Sequence, residues 1–77
     1  MTRLAPIATK KLVRLLEKLG FSQVRRKGSH RFFIDPATKH TTVVLDHGSG
    51  EIGVGLLRAI LRDIEINIEE FERLRHK

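Results

Sequence analysis

Leucine and isoleucine recur at helical spacing in two parts of the chain, one near the N-terminus and one in the C-terminal third. From Thr9 onward, apolar residues at i, i+3, i+4 and i+7 predict a helix with one apolar face. That face consists of Leu12, Leu15, Leu16 and Leu19. Gly20 follows at the position where helices commonly end in the left-handed conformation. The second helix is predicted from Leu57, Ile60, Leu61 and Ile64.

Three segments between these helices have the composition of β-strands. They are residues 21–27, 30–35 and 41–45, which hold the valines and phenylalanines of this region together with Thr41 and Thr42. Gly28 and its neighbours join the first two tightly, and a proline-containing turn at residues 35–39 leads to the third. Links this short predict an antiparallel meander, because parallel pairing needs long crossovers.

The remaining segments are shorter. Residues 1–8 show no helical or strand periodicity in their apolar residues and predict a short arm. Residues 47–55 hold four glycines and predict a loop. Asn67 and Glu70 form a capping-box pattern, with Ile66 and Phe71 at the staple positions around it. A short third helix is therefore predicted over residues 68–75.

These elements predict an α+β fold in two layers, with two helices packed on one face of a three-stranded antiparallel sheet. At 77 residues, the chain is expected to form a single domain over residues 1–77. The other face of the sheet is left to water or to a ligand.

Gly28 interrupts the alternation of the strands, so the sequence leaves open which strand side chains point outward. If Val24, Phe32 and Ile34 point inward, a basic outer surface with one exposed aromatic ring results. That surface would hold Arg25, Lys27, Arg31 and Phe33. Such a surface suits RNA, since bases stack on aromatic rings, although Phe33 could equally cover a sheet edge or contact a partner protein.

Charge is distributed unevenly along the chain, which has a net charge of +6. Residues 1–31 hold nine Lys and Arg residues against one acid, whereas residues 32–77 hold six bases and eight acids. A polyanion is therefore expected to meet the N-terminal half, where Lys11, Arg14 and Lys18 lie opposite the leucine face of the first helix. Charge that serves only solubility is the alternative.

Composition excludes several classes of protein. The chain has no cysteine, which removes disulfide scaffolds, thiol catalysis and thiolate zinc sites. Its apolar runs are far below the ~20 residues that span a bilayer, and it shows no secretory signal. No membrane partner is expected, and the predicted location is the cytoplasm.

His30 is the strongest candidate for acid–base chemistry. It follows Lys27, Gly28 and Ser29 and precedes Arg31, and these cations favour a neutral imidazole that can accept a proton. The same cations can bind a scissile phosphate, Gly28 would permit close approach of the backbone, and Ser29 offers a hydroxyl or an amide. RNA carries its own nucleophile, the 2′-hydroxyl, so cleavage needs no metal. A simple phosphate contact is the alternative role for His30.

The other histidines carry weaker signals. His40 follows a turn and is expected to point into solvent, and His76 lies near the chain end. His47 follows the third strand and could assist catalysis or fix the loop. The spacing of the internal histidines matches no common zinc pattern, so we expect neither a metal nor a cofactor.

Four segments of the chain resemble the HicA family of bacterial toxins, in order from about residue 9 to residue 71. They are Leu15-Leu16-Glu17-Lys18-Leu19-Gly20-Phe21, Val24-Arg25-Arg26-Lys27-Gly28-Ser29-His30, Val43-Val44-Leu45-Asp46-His47-Gly48 and Gly55-Leu56-Leu57-Arg58-Ala59-Ile60-Leu61. One departure occurs before the second helix, where many members have Pro-Gly-Thr and this chain has Val54-Gly55-Leu56.

This resemblance implies a fold similar to that of double-stranded-RNA-binding domains, α-β-β-β-α, here with a short C-terminal helix. It implies an mRNA interferase toxin whose catalytic histidine corresponds to His30, and a HicB-type antitoxin that covers the site. RNA contacts are then expected at Lys11, Arg14, Lys18, Arg25, Lys27, Gly28, Ser29 and Arg31.

Three functions remain open at this point. The first is a metal-independent endoribonuclease that belongs to a toxin–antitoxin pair. The second is a non-catalytic RNA-binding module of similar fold, in which His30 only contacts phosphate. The third is an interaction domain whose basic charge serves an acidic partner protein.

Overall fold

The chain folds into a helical layer and a sheet layer, with a small two-stranded ribbon beside them. The computed structural model describes residues 3–46 and 50–76. Its elements in chain order are β1 (Ile7–Ala8), α1 (Thr9–Lys18), β2 (Ser22–Lys27), β3 (His30–Ile34), β4 (Thr41–Leu45), β5 (Glu51–Ile52), α2 (Val54–Ile64) and α3 (Ile68–Arg75).

Helix α1 begins at Thr9 and buries its leucine face, as the spacing predicts. It ends before Gly20, whose φ of +105° lies in the left-handed region that glycine adopts without strain. The Phe21 amide donates to the Leu16 carbonyl at 2.9 Å, and the Gly20 amide donates to Glu17 at 3.1 Å. These two bonds form a Schellman motif and satisfy carbonyls that the end of the helix leaves free.

Strands β2, β3 and β4 form an antiparallel sheet in that order. Lys27 pairs with His30, so the β2–β3 hairpin turns through only two residues, Gly28 and Ser29. Gly28 has a φ of +58°, the conformation that the first position of a type II′ hairpin turn requires. The predicted meander is confirmed, with each strand within one residue of its expected limits.

The core lies between the helices and one face of this sheet. Thr42 of β4 is 3% exposed, and its hydroxyl donates to the Asp63 carboxylate of α2 at 2.9 Å, which fixes this helix on the sheet. The helices and the sheet bury Leu12, Leu15, Leu16, Phe21, Phe33, Val44, Leu57, Ile60, Leu61, Ile64 and Phe71. The predicted α+β class, with helices on one face of a three-stranded sheet, is confirmed.

The two-stranded ribbon of β1 and β5 is absent from the prediction. Ile7 pairs with Ile52, and both side chains are buried in the core. The Arg75 guanidinium donates to the carbonyls of Ala5 and Pro6, at 2.8 Å for Ala5. The predictions of a short arm over residues 1–8 and of one loop over residues 47–55 were therefore wrong at Ile7–Ala8, at Glu51–Ile52 and from Val54, where α2 already begins. Residues 47–49 lie outside the described residues.

The two C-terminal helices begin in different ways. Gly53, the residue before α2, is extended and supplies no side-chain cap. In α3, the Asn67 side chain accepts a bond from the Glu70 amide at 2.8 Å, which confirms the predicted cap and helix limits. None of the helices in the described part of the chain combines the length and apolar character that crossing a bilayer requires.

Candidate nucleic-acid interface

The strand register settles which side chains face away from the helices. Phe33 is 1% exposed and belongs to the core. Because side chains alternate between the two faces along a strand, Phe32 and His30 lie on the opposite face. Val24 is 62% exposed. The sequence left open an arrangement in which Val24, Phe32 and Ile34 point inward and Phe33 outward, and the structure rules that arrangement out. We call the sheet surface that carries His30 and Phe32 the open face.

Arg31 explains how Phe33 can occupy the core side of β3. It shares that side, at the end of the sheet, where its Nε donates to the Gln23 side chain at 2.7 Å. Its guanidinium also reaches Asp46 at 3.4 Å and lies 5.8 Å from the centre of the Phe33 ring. A long aliphatic stem thus covers apolar surface while the charged group stays at the rim. Arg31 is therefore separated from the open face.

His30 is exposed at the start of β3, between Lys27 on β2 and Leu45 on β4. Its imidazole stacks on the Phe32 ring, with centroids 6.4 Å apart and planes 24° apart. The Arg25 guanidinium lies 5.3 Å from the centre of the same ring. Lys27, His30, Phe32 and Arg25 therefore form a continuous group on the open face.

Asp46 holds the hairpin that carries His30. Its amide donates to the Ser29 carbonyl at 2.7 Å, and its carboxylate lies 3.8 Å from the Arg26 guanidinium. Arg26 in turn donates to the Gly28 carbonyl at 3.1 Å. Sequence reasoning missed this role. The available signal was a single acid placed directly after a strand and opposite a strongly basic hairpin.

Gly28 and Ser29 lie at the tip of this hairpin, next to His30. A side chain at Gly28 would meet no other atom within 4 Å, so the turn conformation, rather than crowding, demands glycine there. The tip is thereby left open to a large ligand.

The predicted RNA contacts divide between two surfaces. Lys11, Arg14 and Lys18 are exposed on the side of α1 that faces away from the core, in the helical layer. The hairpin and open-face residues lie in the sheet layer. The structure thus brings Arg25, Lys27, Gly28 and Ser29 close to His30 and places the α1 cations apart from them.

The other histidines lie away from this group. The His40 Nε2 is 3.1 Å from the Glu65 carboxylate, so the half-buried side chain is paired and does not point freely into solvent. His76 is 3.3 Å from Glu72 on α3. His47 lies outside the described residues. Within residues 3–46 and 50–76, no three His, Asp or Glu side chains form a group that could hold a metal ion.

The strands of the sheet carry no carboxylate. Across Ser22–Lys27, His30–Ile34 and Thr41–Leu45, the charged residues are the arginines and Lys27 alone, and the acids Asp35 and Asp46 follow the strand ends. A surface of this kind attracts a polyanion and offers it both cations and an aromatic ring.

The fold and this surface define a small α+β domain with an exposed histidine in a basic, polyanion-attracting sheet. A family model described as the HicA toxin of bacterial toxin–antitoxin systems matches residues 9–66, from the start of α1 to just beyond α2. The chain belongs to the HicA toxin family, as its sequence motifs indicate. It is a toxin of a toxin–antitoxin system, a family whose activity in general is that of an mRNA interferase. No curated protein matches it significantly.

Proposed function

We propose that this toxin is a metal-independent endoribonuclease that cleaves mRNA with His30 as general acid or base. The observation that carries the proposal is the position of His30, which is exposed on the β2–β3 hairpin directly opposite Lys27, with Arg25 further along β2. In this proposal residues 1–77 form one domain, and the toxin meets its mRNA substrate in the cytoplasm.

The reaction uses a nucleophile that the substrate supplies. The ribose 2′-hydroxyl loses its proton and attacks the adjacent phosphorus, and the bond from phosphorus to the 5′-oxygen of the next nucleotide breaks. That oxygen takes up a proton and leaves as a 5′-hydroxyl, and the other product ends in a 2′,3′-cyclic phosphate. The His30 imidazole serves one of these two proton transfers, a role for which histidine suits neutral pH.

Positive charge supports this step. Lys27 is the direct cross-strand neighbour of His30, and Arg25 lies further along the same strand. Both can approach the non-bridging oxygens of a phosphate, on which negative charge grows during displacement. The Gly28-Ser29 tip, held by Asp46, gives the backbone of the RNA room to pass.

The antitoxin in this proposal is a HicB-type protein that covers His30. A site that admits a long polymer lies on the surface, so the fold of the toxin itself does not close it. Acidic or hydrogen-bonding groups of a partner can occupy the places of the phosphates, since complementary charge speeds encounter and sets specificity. Phe33, which the sequence left open as a contact for a partner protein, is buried and therefore does not serve as the apolar anchor for the antitoxin.

The purified chain is expected to cleave single-stranded RNA in the presence of a chelator and to leave 5′-hydroxyl ends. Mass spectrometry of the products checks the ends, and addition of the cognate antitoxin should stop the reaction. Binding without cleavage would instead establish a non-catalytic RNA-binding module. Loss of cleavage on chelation would point to metal-dependent chemistry.

The α1 cations are expected to contribute affinity without taking part in the chemistry. Reversing Lys11, Arg14 and Lys18 to glutamate should lower the slope of log affinity against log salt by about 0.7 for each lost contact with a single strand. Fluorescence anisotropy over a salt series measures this slope. The unfolding free energy should change little, because all three side chains are exposed.

A charge-matched control separates local contacts from the overall field of the protein. Reversing Arg58, Arg62 and Arg73, which are exposed on α2 and α3, changes the net charge equally. It should leave the slope closer to that of the unmodified protein. Equal slopes for the two triple variants would show that α1 makes no specific contact.

A further inference from the structure

A shallow concavity opens on the sheet next to the catalytic candidate. It has a volume of about 420 Å³, at the lower end of the roughly 300–1,000 Å³ typical of small-molecule sites. Its wall includes Phe32, whose ring stacks on His30. The concavity is lined by Val24, Arg25, Phe32, Phe33, Ile34, Thr41, Thr42 and Val43.

The lining combines an apolar surface with positive charge and no carboxylate. Phe32 and Val43 are cross-strand partners and present apolar surface from adjacent strands. Val24 is 62% exposed at a bulge in β2, where it adds apolar surface that the core does not use. Arg25 supplies a planar guanidinium beside the Phe32 ring.

We propose that this concavity binds one unpaired nucleobase of the RNA, next to the nucleotide whose phosphate meets Lys27 and His30. The inference rests on the proposed function and adds a base subsite to it. A nucleobase is flat and aromatic, so it can stack on Phe32 or on the Arg25 guanidinium and cover the apolar wall. Its attached phosphates complement the cations, which is why a nucleic acid fits this surface better than an apolar peptide.

Two consequences for the substrate follow from this lining. A base in a duplex is stacked and paired, so only a single-stranded or extruded base can enter. Thr42 lies on the core side of the sheet, where its hydroxyl donates to Asp63, so among the lining side chains only those of Arg25 and Thr41 offer hydrogen-bonding groups to a base. Stacking without many polar contacts gives modest preference among bases, so the subsite selects for strand state more than for sequence.

The α1 surface provides a contrast within the same protein. Its exposed cations Lys11, Arg14 and Lys18 lie on a helix that has no aromatic residue. That surface can neutralise phosphates but has no platform on which a base can stack. Removing bases from the RNA should therefore weaken contacts at the concavity and leave those at α1 unchanged.

The test measures binding to an RNA that cannot be cleaved. Fluorescence anisotropy is recorded with a single strand whose sugars are 2′-O-methylated, and with a matched strand that carries abasic positions. Phe32→Ala should weaken binding to the base-bearing strand by about 5- to 150-fold, the range measured for loss of one stacked base. It should leave binding to the abasic strand unchanged.

Two further variants keep the result interpretable. Phe32→Tyr retains the ring and should bind like the unmodified protein, whereas Phe32→Leu retains apolar bulk without the ring and should weaken binding as alanine does. If Phe32→Ala and Phe32→Leu bind both strands normally, the subsite is overturned while RNA cleavage by the unmodified protein still stands. If these variants lose only neutralisation by the antitoxin, the concavity docks a protein instead. Failure of the unmodified protein to bind any RNA overturns both proposals.

Discussion

Replacing His30 with alanine is expected to lower the rate of RNA cleavage by about 10²–10⁴-fold, the usual cost of removing a general acid or base. The fold should persist, because the His30 side chain is exposed and its ring contact is with Phe32 at 6.4 Å. A gel-based cleavage assay with purified protein measures the rate, and circular dichroism verifies the fold. Growth arrest on expression should disappear in parallel.

His40→Ala is the matched control for this substitution. It removes the same chemical group from a position where the imidazole pairs with Glu65 instead of facing the basic hairpin. Cleavage by this variant should remain close to that of the unmodified protein. A His30→Ala protein that folds and still cleaves RNA at full rate would remove His30 from the active site.

Replacing Phe33 with alanine is expected to lower the free energy of unfolding by about 3–5 kcal/mol, the usual cost of truncating a buried aromatic side chain. Phe33 is 1% exposed in the core between the sheet and the helices. A domain of 77 residues has a total stability of about 4–12 kcal/mol, so this loss removes a large part of it. Urea unfolding followed by circular dichroism measures the change.

The adjacent residue provides the comparison. Phe32 is half-buried on the open face, so Phe32→Ala should cost clearly less stability than Phe33→Ala. The main effect of Phe32→Ala should instead be weaker binding of RNA. Equal stability losses at the two positions would contradict the strand facing described for β3.

The order of elements and most of their limits could be predicted from the sequence because strong local signals mark them. The leucine spacing of α1, its ending at Gly20 and the Asn67 cap of α3 each depend on residues close together in the chain. The ribbon could not be predicted in this way. A strand of two residues has no period, and Ile7 gains its partner Ile52 only when the rest of the fold brings them together.

The facing of β3 could not be read from its alternation, for a physical reason. Phe32 and Ile34 form a more apolar set than Arg31 and Phe33, so the pattern favours burial of the wrong set. Arg31 reverses the preference because its stem can lie along the core side while its guanidinium reaches Gln23 and Asp46. These partners are distant in sequence. The pairing of Lys27 with His30 needed no facing assignment, because the tight turn alone brings these two residues together.

The ribbon also affects the order in which a newly made chain can complete its fold. The β2–β3 hairpin joins residues that are close in sequence and can form early, whereas β1 waits for β5 and the segment around Ala5 waits for Arg75. A chain that leaves the ribosome N-terminus first therefore exposes every proposed site residue before the core beneath them is complete. The helices α2 and α3, which contribute residues to the core beneath the sheet, are made after the hairpin. Synthesis of α3, which carries Arg75, is thus the step that we expect to complete the fold.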